Sequence, residues 1–200
     1  MLRDAILVQK RERDARLLEK YVEREAVLKE ARNNLIKVII GPRRAGKSFF
    51  AIHAFSKIGE FGYVNFDDER LVETVNYDEI IEAVKSVYGE THLMLLDEIQ
   101  NLPKWELFVN RLQRQGYNLV VTGSNANLLS QELATHLTGR HAATNVFPFS
   151  FREILKLEDK ELTGAETSEK LRQYLVNGGY PEPYVKKLDN REYVSTLFDS

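Results

Sequence analysis

Cysteine is absent from the 200 residues. That excludes disulfides, thiolate zinc sites and cysteine nucleophiles, and it fits a reducing cytosol. No apolar stretch approaches the roughly 20 residues that cross a bilayer. The opening MLRDAILVQKRERDARLLEK interleaves acids and bases with no apolar signal-peptide core. The expectation is a cytoplasmic protein without a membrane span. Glycine and proline are missing from residues 2–32, where apolar pairs recur at Ile6/Leu7, Leu17/Leu18, Tyr21/Val22 and Val27/Leu28. That pattern predicts one long helix or two in succession, stopping near Asn33-Asn34. The four histidines, His53, His92, His136 and His141, lack metal-ligand spacing, and His53 is expected to pack on the helix that follows residue 46.

With 43% apolar and 29% charged residues, the chain has the composition of a globular domain with a real core. Net charge is −2, but residues 1–47 hold 13 Lys/Arg against 7 Asp/Glu, leaving the remainder at −8. A basic N-terminal third suits nucleic acid, an acidic partner or the phosphates of a nucleotide; it equally suits a solvated helix laced with i,i+4 pairs.

Beyond residue 34, short apolar runs alternate with helical patterns. The runs are LIKVII (35–40), GYVNF (62–66), HLMLLD (92–97), NLVVTG (118–123) and HAATNVF (141–147). Most lack clean alternation, as expected of strands buried on both faces of a parallel sheet. Between them KSFFAIHAFSKI, YDEIIEAVKSVY, KWELFVNRLQRQ and NANLLSQELATHL carry helical spacing, which predicts an α/β fold with helices on both sides of the sheet. From Phe149 the strand signal ends; SFREILKLED and SEKLRQYLVN read as helices, broken by GGYPEP. The expected organisation is an N-terminal helical segment (1–33), a core (34–150) and a helical lid segment (151–200). The final REYVSTLFDS stops inside an amphipathic pattern, as in a chain cut from a larger parent.

Gly41-Pro42-Arg43-Arg44-Ala45-Gly46-Lys47-Ser48 fits G-x-x-x-x-G-K-[ST], with a buried strand before it and a helical pattern after it. The glycines allow successive N–H groups to turn inward around a phosphate, Lys47 supplies a compact charge for the β- and γ-phosphates, and the Ser48 hydroxyl is a Mg²⁺ ligand. The helix beginning there aims its N-terminal dipole at the same anion, so residues 41–48 and Phe49 form the candidate nucleotide-binding set. HLMLLDEIQ supplies Asp97 as second metal residue and, next to it, Glu98, placed to polarise a water in line with the γ-phosphate. At the tip of the fourth run, Ser124 and Asn125 are candidates for sensing the γ-phosphate or holding that water, with Thr122 a weaker one; an ordinary turn and helix cap is the alternative. Asp67-Asp68-Glu69 reads as a solvated turn before a metal site, and Trp105 as core before a groove lid. The segment 30–36 is the expected contact for adenine.

IIGPRRAGKS, YVNFDDERL, MLLDEIQNLPKWE, VVTGSNANLLS, LTGRHAATNVFPFSFREIL and NGGYPEPY occur in the order found in archaeal and bacterial AAA-type ATPases of the AAA+ superfamily, which this chain resembles over residues 35 to about 185. The resemblance implies a three-layer P-loop NTPase with a five-stranded parallel sheet ordered 5-1-4-3-2, a small helical lid, ATP and Mg²⁺ as ligands, and homo-oligomers or a further C-terminal domain as partners. It makes Lys47/Ser48 and Asp97/Glu98 the two Walker pairs and Ser124 or Asn125 the sensor. Arg140, in LTGRH before the fifth run, resembles an arginine placed to reach a nucleotide, its own or a neighbouring subunit's; a structural ion pair is the alternative. Arg172 and Arg191 are the available positions for a second sensor. The function expected is Mg-ATP hydrolysis coupled to conformational change. The alternatives are a nucleotide-dependent switch with negligible turnover alone, and a DNA-associated motor resting on Lys10, Arg11, Arg13 and Arg16.

Overall fold

Short runs, β-branched or leucine-rich in all but the last, form five parallel strands: β1 (Ile36–Ile40), β2 (Gly62–Asn65), β3 (Leu93–Asp97), β4 (Asn118–Gly123) and β5 (His141–Asn145). They are seen in a computed structural model, which describes all residues except 73, 75, 124–136, 138, 187, 189–192, 194 and 196–200. The order β2-β3-β4-β1-β5 is the one the resemblance implies. Every residue of β1 is buried because helices cover both faces. On one face Ile39, Tyr63, Leu95 and Val120 pack against Phe50, Ala51, Ile52 and Phe55 of α2 (Lys47–Ser56). On the other, Val38, Ile40, Met94, Leu96 and Val121 meet Ile80 and Val84 of α4 (Tyr77–Tyr88) and Phe108, Val109 and Leu112 of α5 (Trp105–Arg114). Trp105 is core, 3% exposed. A short α3 (Glu69–Val72) lies between β2 and α4. The pattern NANLLSQELATHL falls outside the described residues apart from Leu137, which is buried.

The N-terminal region departs from expectation. Helix α1 spans Leu2–Leu18 and ends there, Glu19 being extended (φ −70°, ψ 155°); residues 20–32 are not helical. Helix propensity is overruled because this stretch inserts its side chains singly between neighbouring elements. Val22 packs with Phe149 and Ile154, Leu28 joins the α2 face of the core, and Arg24 is bound by three separate elements.

Helix α1 lies along the open edge of β2. The Gln9 side chain accepts from Asn65 N at 2.9 Å and donates to Asn65 O at 3.1 Å, and Arg13 Nη1 donates to Phe61 O at 2.6 Å. Lys10 donates to Val87 O and stands over the Tyr88 ring. Lys10, Arg13 and Arg16 therefore turn inward, and Arg11 is the exposed one of the four bases named for DNA.

After β5 come α6 (Phe151–Leu155), α7 (Gly164–Asn177) and α8 (Pro181–Lys186). Capping boxes at Ser150/Glu153 and Thr163/Glu166 fix the starts of α6 and α7. Gly179 lies so close to Phe149 that a Cβ would stand 2.1 Å from its carbonyl oxygen, which ties α8 to the sheet end. No helix among the described residues is long and apolar enough to cross a membrane.

Candidate functional site

Residues 41–46 link β1 to α2 at the C-terminal edge of the sheet. A Cβ on Gly41 would stand 1.8 Å from Val146 O, so only glycine lets the chain leave β1 there. Gly46 caps α2 in the left-handed region (φ 85°, ψ 27°), and Arg44 shares that region at φ 61°. Lys47, 4% exposed, folds back so that Nζ donates to Pro42 O at 2.9 Å. Burial holds its ammonium below the ordinary lysine value, and the nearby Glu98 and Asp97 carboxylates oppose that shift.

Asp97 ends β3 and is 2% exposed. Three hydroxyls donate to it: Ser48 Oγ to Oδ1 at 2.9 Å, Thr122 Oγ1 also to Oδ1, and Tyr63 OH to Oδ2 at 2.8 Å. Thr122 in turn accepts from Glu98 N at 3.1 Å. Glu98 sits in the left-handed region (φ 50°, ψ 45°) at the start of a 3₁₀ turn, Ile99–Asn101, and Gln100 Nε2 donates to its Oε2 at 2.5 Å. The structure thus brings Lys47, Ser48, Asp97 and Glu98 together at one strand edge. Ser124 and Asn125 lie outside the described residues. Thr122, the weaker candidate, bridges Asp97 and the Glu98 backbone.

Mg²⁺ suits this donor set. Ser48 and Asp97 offer two hard oxygen ligands beside a phosphate loop, and Mg²⁺ favours one or two protein oxygens plus water and phosphate over an all-protein cage. Among the described residues no cluster of three His, Asp or Glu forms such a cage.

Beside the loop is an apolar cavity of about 280 Å³ lined by Tyr21, Val22, Arg44, Phe49, Phe149 and Pro181. The expectation that residues 30–36 contact the base is corrected here. That segment is bonded to the N-terminal ends of β1 and β4, through Lys37 to Asn33 O and Asn118 to Ala31 O, at the far end of the sheet from the loop. Residues 19–24 run past the loop instead, with the Tyr21 ring stacked on His53 at 4.0 Å. A larger cavity of about 480 Å³, between Ile154, Leu157, Tyr174 and Tyr184, touches no phosphate-loop residue.

Arg24 is the residue that sequence reasoning missed most completely. It donates from Nη1 to Ala45 O at 3.1 Å, from Nη2 to Phe147 O, and from Nε to Glu153 Oε1 at 3.0 Å. Glu153 had a visible signal, the S-x-x-E capping box at Ser150; Arg24 had none.

Arg140 precedes β5, and its carbonyl accepts from Ile36 N at the start of β1. Five strand residues, roughly 17 Å, separate that level from the phosphate loop, so this exposed arginine stands away from its own chain's site. Arg172 is exposed on α7 beside Glu169, and Arg191 lies outside the described residues. Asp67 accepts from Asn101, and Asp68 pairs with Arg70 at 2.6 Å, so neither points to a metal.

Residues 33–155 match the AAA domain family. The chain belongs to that family. Its relatives include an uncharacterized protein of Methanocaldococcus jannaschii, 36% identical over 182 residues covering 82% of this chain and 41% of the relative. Another, an uncharacterized protein of Haemophilus influenzae, is 32% identical over 180 residues, covering 84% of this chain and 45% of the relative. The chain therefore spans less than half the length of these relatives. Among solved structures, a Walker-type ATPase of Pyrococcus abyssi is similar in fold (TM-score 0.50, 18% identity, covering 75% of this chain and 60% of that one). So is PCH-2 of C. elegans (TM-score 0.53, 14% identity, covering 94% and 61%). The AAA domain is a nucleotide-binding ATPase domain, and its three-layer P-loop fold is the one described above.

Proposed function

We propose that this AAA domain binds Mg-ATP and hydrolyses it, using the energy to move its lid or a neighbouring subunit. The observation that carries the reading is the contact of Ser48 with Asp97 at 2.9 Å beside a buried Lys47, with Glu98 the next residue. Ser48 and Asp97 would hold Mg²⁺, which when bound supplies charge neutralisation on the β- and γ-phosphates. The N–H groups of residues 43–48 and the N-terminus of α2 cradle the phosphates, and Lys47 swings from Pro42 O to the γ-phosphate. Glu98 orients the attacking water and takes its proton. The cavity between Tyr21, Phe49, Phe149 and Pro181 is apolar and of a size for a purine base. Ser124 or Asn125 would report on the γ-phosphate.

One observation favours a second reading, a nucleotide switch with negligible turnover alone. Arg140 is displaced to the far end of the sheet, so an arginine for the transition state would come from a second copy. Phosphate release from Mg-ATP, measured across protein concentration beside Lys47→Ala and Glu98→Gln, tests both readings. Turnover that rises with concentration and is lost in both variants is the expected result. Nucleotide binding that requires Lys47 without turnover at any concentration would leave the switch.

A further inference from the structure

Tyr63 is wholly buried on β2, on the sheet face that packs against α2. It is in register with Leu95, two residues before Asp97 on β3, so Tyr63 and Asp97 share that face. Phenylalanine would fill the same space, and a buried phenol is costly unless its hydroxyl finds a partner. Here it finds two: OH donates to Asp97 Oδ2 at 2.8 Å and accepts from Arg16 Nη1 at 3.2 Å.

From this geometry we infer that Tyr63 is a positioning residue for the metal-holding carboxylate and that Arg16, near the end of α1, sets it. The inference rests on the reading of Ser48 and Asp97 as the Mg²⁺ residues. Oδ1 takes the Ser48 and Thr122 hydroxyls, and Ser48 is itself committed to the metal. An aspartate's terminal torsion has a broad preference, and Thr122 on Oδ1 alone leaves the carboxylate plane free to turn about that contact. A second anchor on Oδ2 fixes which way Oδ1 faces. Tyr63 is that anchor, and the Arg16 guanidinium on its oxygen strengthens the donated proton. Helix α1, held on the β2 edge by Gln9 and Arg13, thereby reaches the metal site through one side chain.

The test separates metal from nucleotide. Affinity for a fluorescent, non-hydrolysable ATP analogue is measured with saturating Mg²⁺ and again in EDTA, for the wild type, Tyr63→Phe, Arg16→Leu and Lys47→Ala. In Tyr63→Phe the gain conferred by Mg²⁺ is expected to fall about tenfold, the usual size of losing a partner behind a metal ligand, while affinity in EDTA stays unchanged. Arg16→Leu, which leaves the core intact, is expected to lose a smaller part of the same gain, and it decides the matter if Tyr63→Phe does not fold. An undiminished Mg²⁺ gain in the folded variants, or equal losses with and without Mg²⁺, would overturn the inference and leave the nucleotide reading standing. A wild type with no Lys47-dependent, Mg²⁺-enhanced binding would overturn both.

Discussion

Arg24 donates to the carbonyl of Ala45 at 3.1 Å while its Nε binds Glu153 at 3.0 Å, so one guanidinium fastens the phosphate loop to α6. Both partners of the ion pair are about 5% exposed or less at the side chain. Breaking a buried pair strands the remaining charge at a cost of about 3–5 kcal/mol. Arg24→Met and Glu153→Leu are each expected to lower stability by an amount of that order, and the double variant by clearly less than their sum. Urea unfolding of the four proteins checks this; additive losses would mean that the two side chains act independently.

Gly41→Ala is expected to be harsher than a surface substitution. Its Cβ would meet Val146 O at 1.8 Å and Val146 C at 2.9 Å, both backbone atoms, so relief requires the segments after β1 and β5 to part. A stability loss of about 3 kcal/mol, together with loss of nucleotide binding, should appear in thermal unfolding and in a binding titration.

Lys37 gives the stability a pH dependence. It is fully buried in β1, donating to Asn33 O and Asn118 Oδ1, and burial pulls its pKa from the ordinary value down to about 8. Below pH 8 the folded and unfolded chains both carry the proton, and the cost of burying the charge is fully present. Between pH 8 and the unfolded value of about 10.4 the unfolded chain binds more protons, so stability rises with pH. The unfolding midpoint should climb from pH 7.5 to 9.5 in the wild type and flatten across that window in Lys37→Met.

Arg140 cannot serve its own chain's phosphates across roughly 17 Å of strand, which makes a mixing experiment decisive. Arg140→Ala and Glu98→Gln should each be inactive in phosphate release. Mixed in equal amounts, they should regain activity, because some interfaces pair an intact Glu98 with an intact Arg140. A mixture as inactive as its components would remove Arg140 from catalysis.

The five strands, the limits of α4 and the phosphate loop were legible because each is written locally. Double-faced burial demands unbroken apolar runs in the four strands before the half-buried β5, and the loop's glycines and lysine carry their own backbone geometry. Residues 20–32 misled for the opposite reason. Their spacing is helical, but Val22, Arg24 and Leu28 are claimed by partners far along the chain. The same distance hid Tyr63 from sequence reasoning. It reads as one more strand residue until β3 brings Asp97 beside it. The corrected base contact belongs to this class too, since the exit of the chain from α1 decides which segment passes the loop.

The edge of β2 holds a different lesson. An uncovered edge strand is a template for any extended chain, and proteins guard such edges against aggregation. Here the guard is a helix whose Gln9 copies the donor and acceptor of a missing strand at Asn65 and whose Arg13 takes the carbonyl of Phe61. A proteolytic nick after Leu18 that freed α1 would leave the phosphate loop in place but turn the sheet into a surface ready to polymerise.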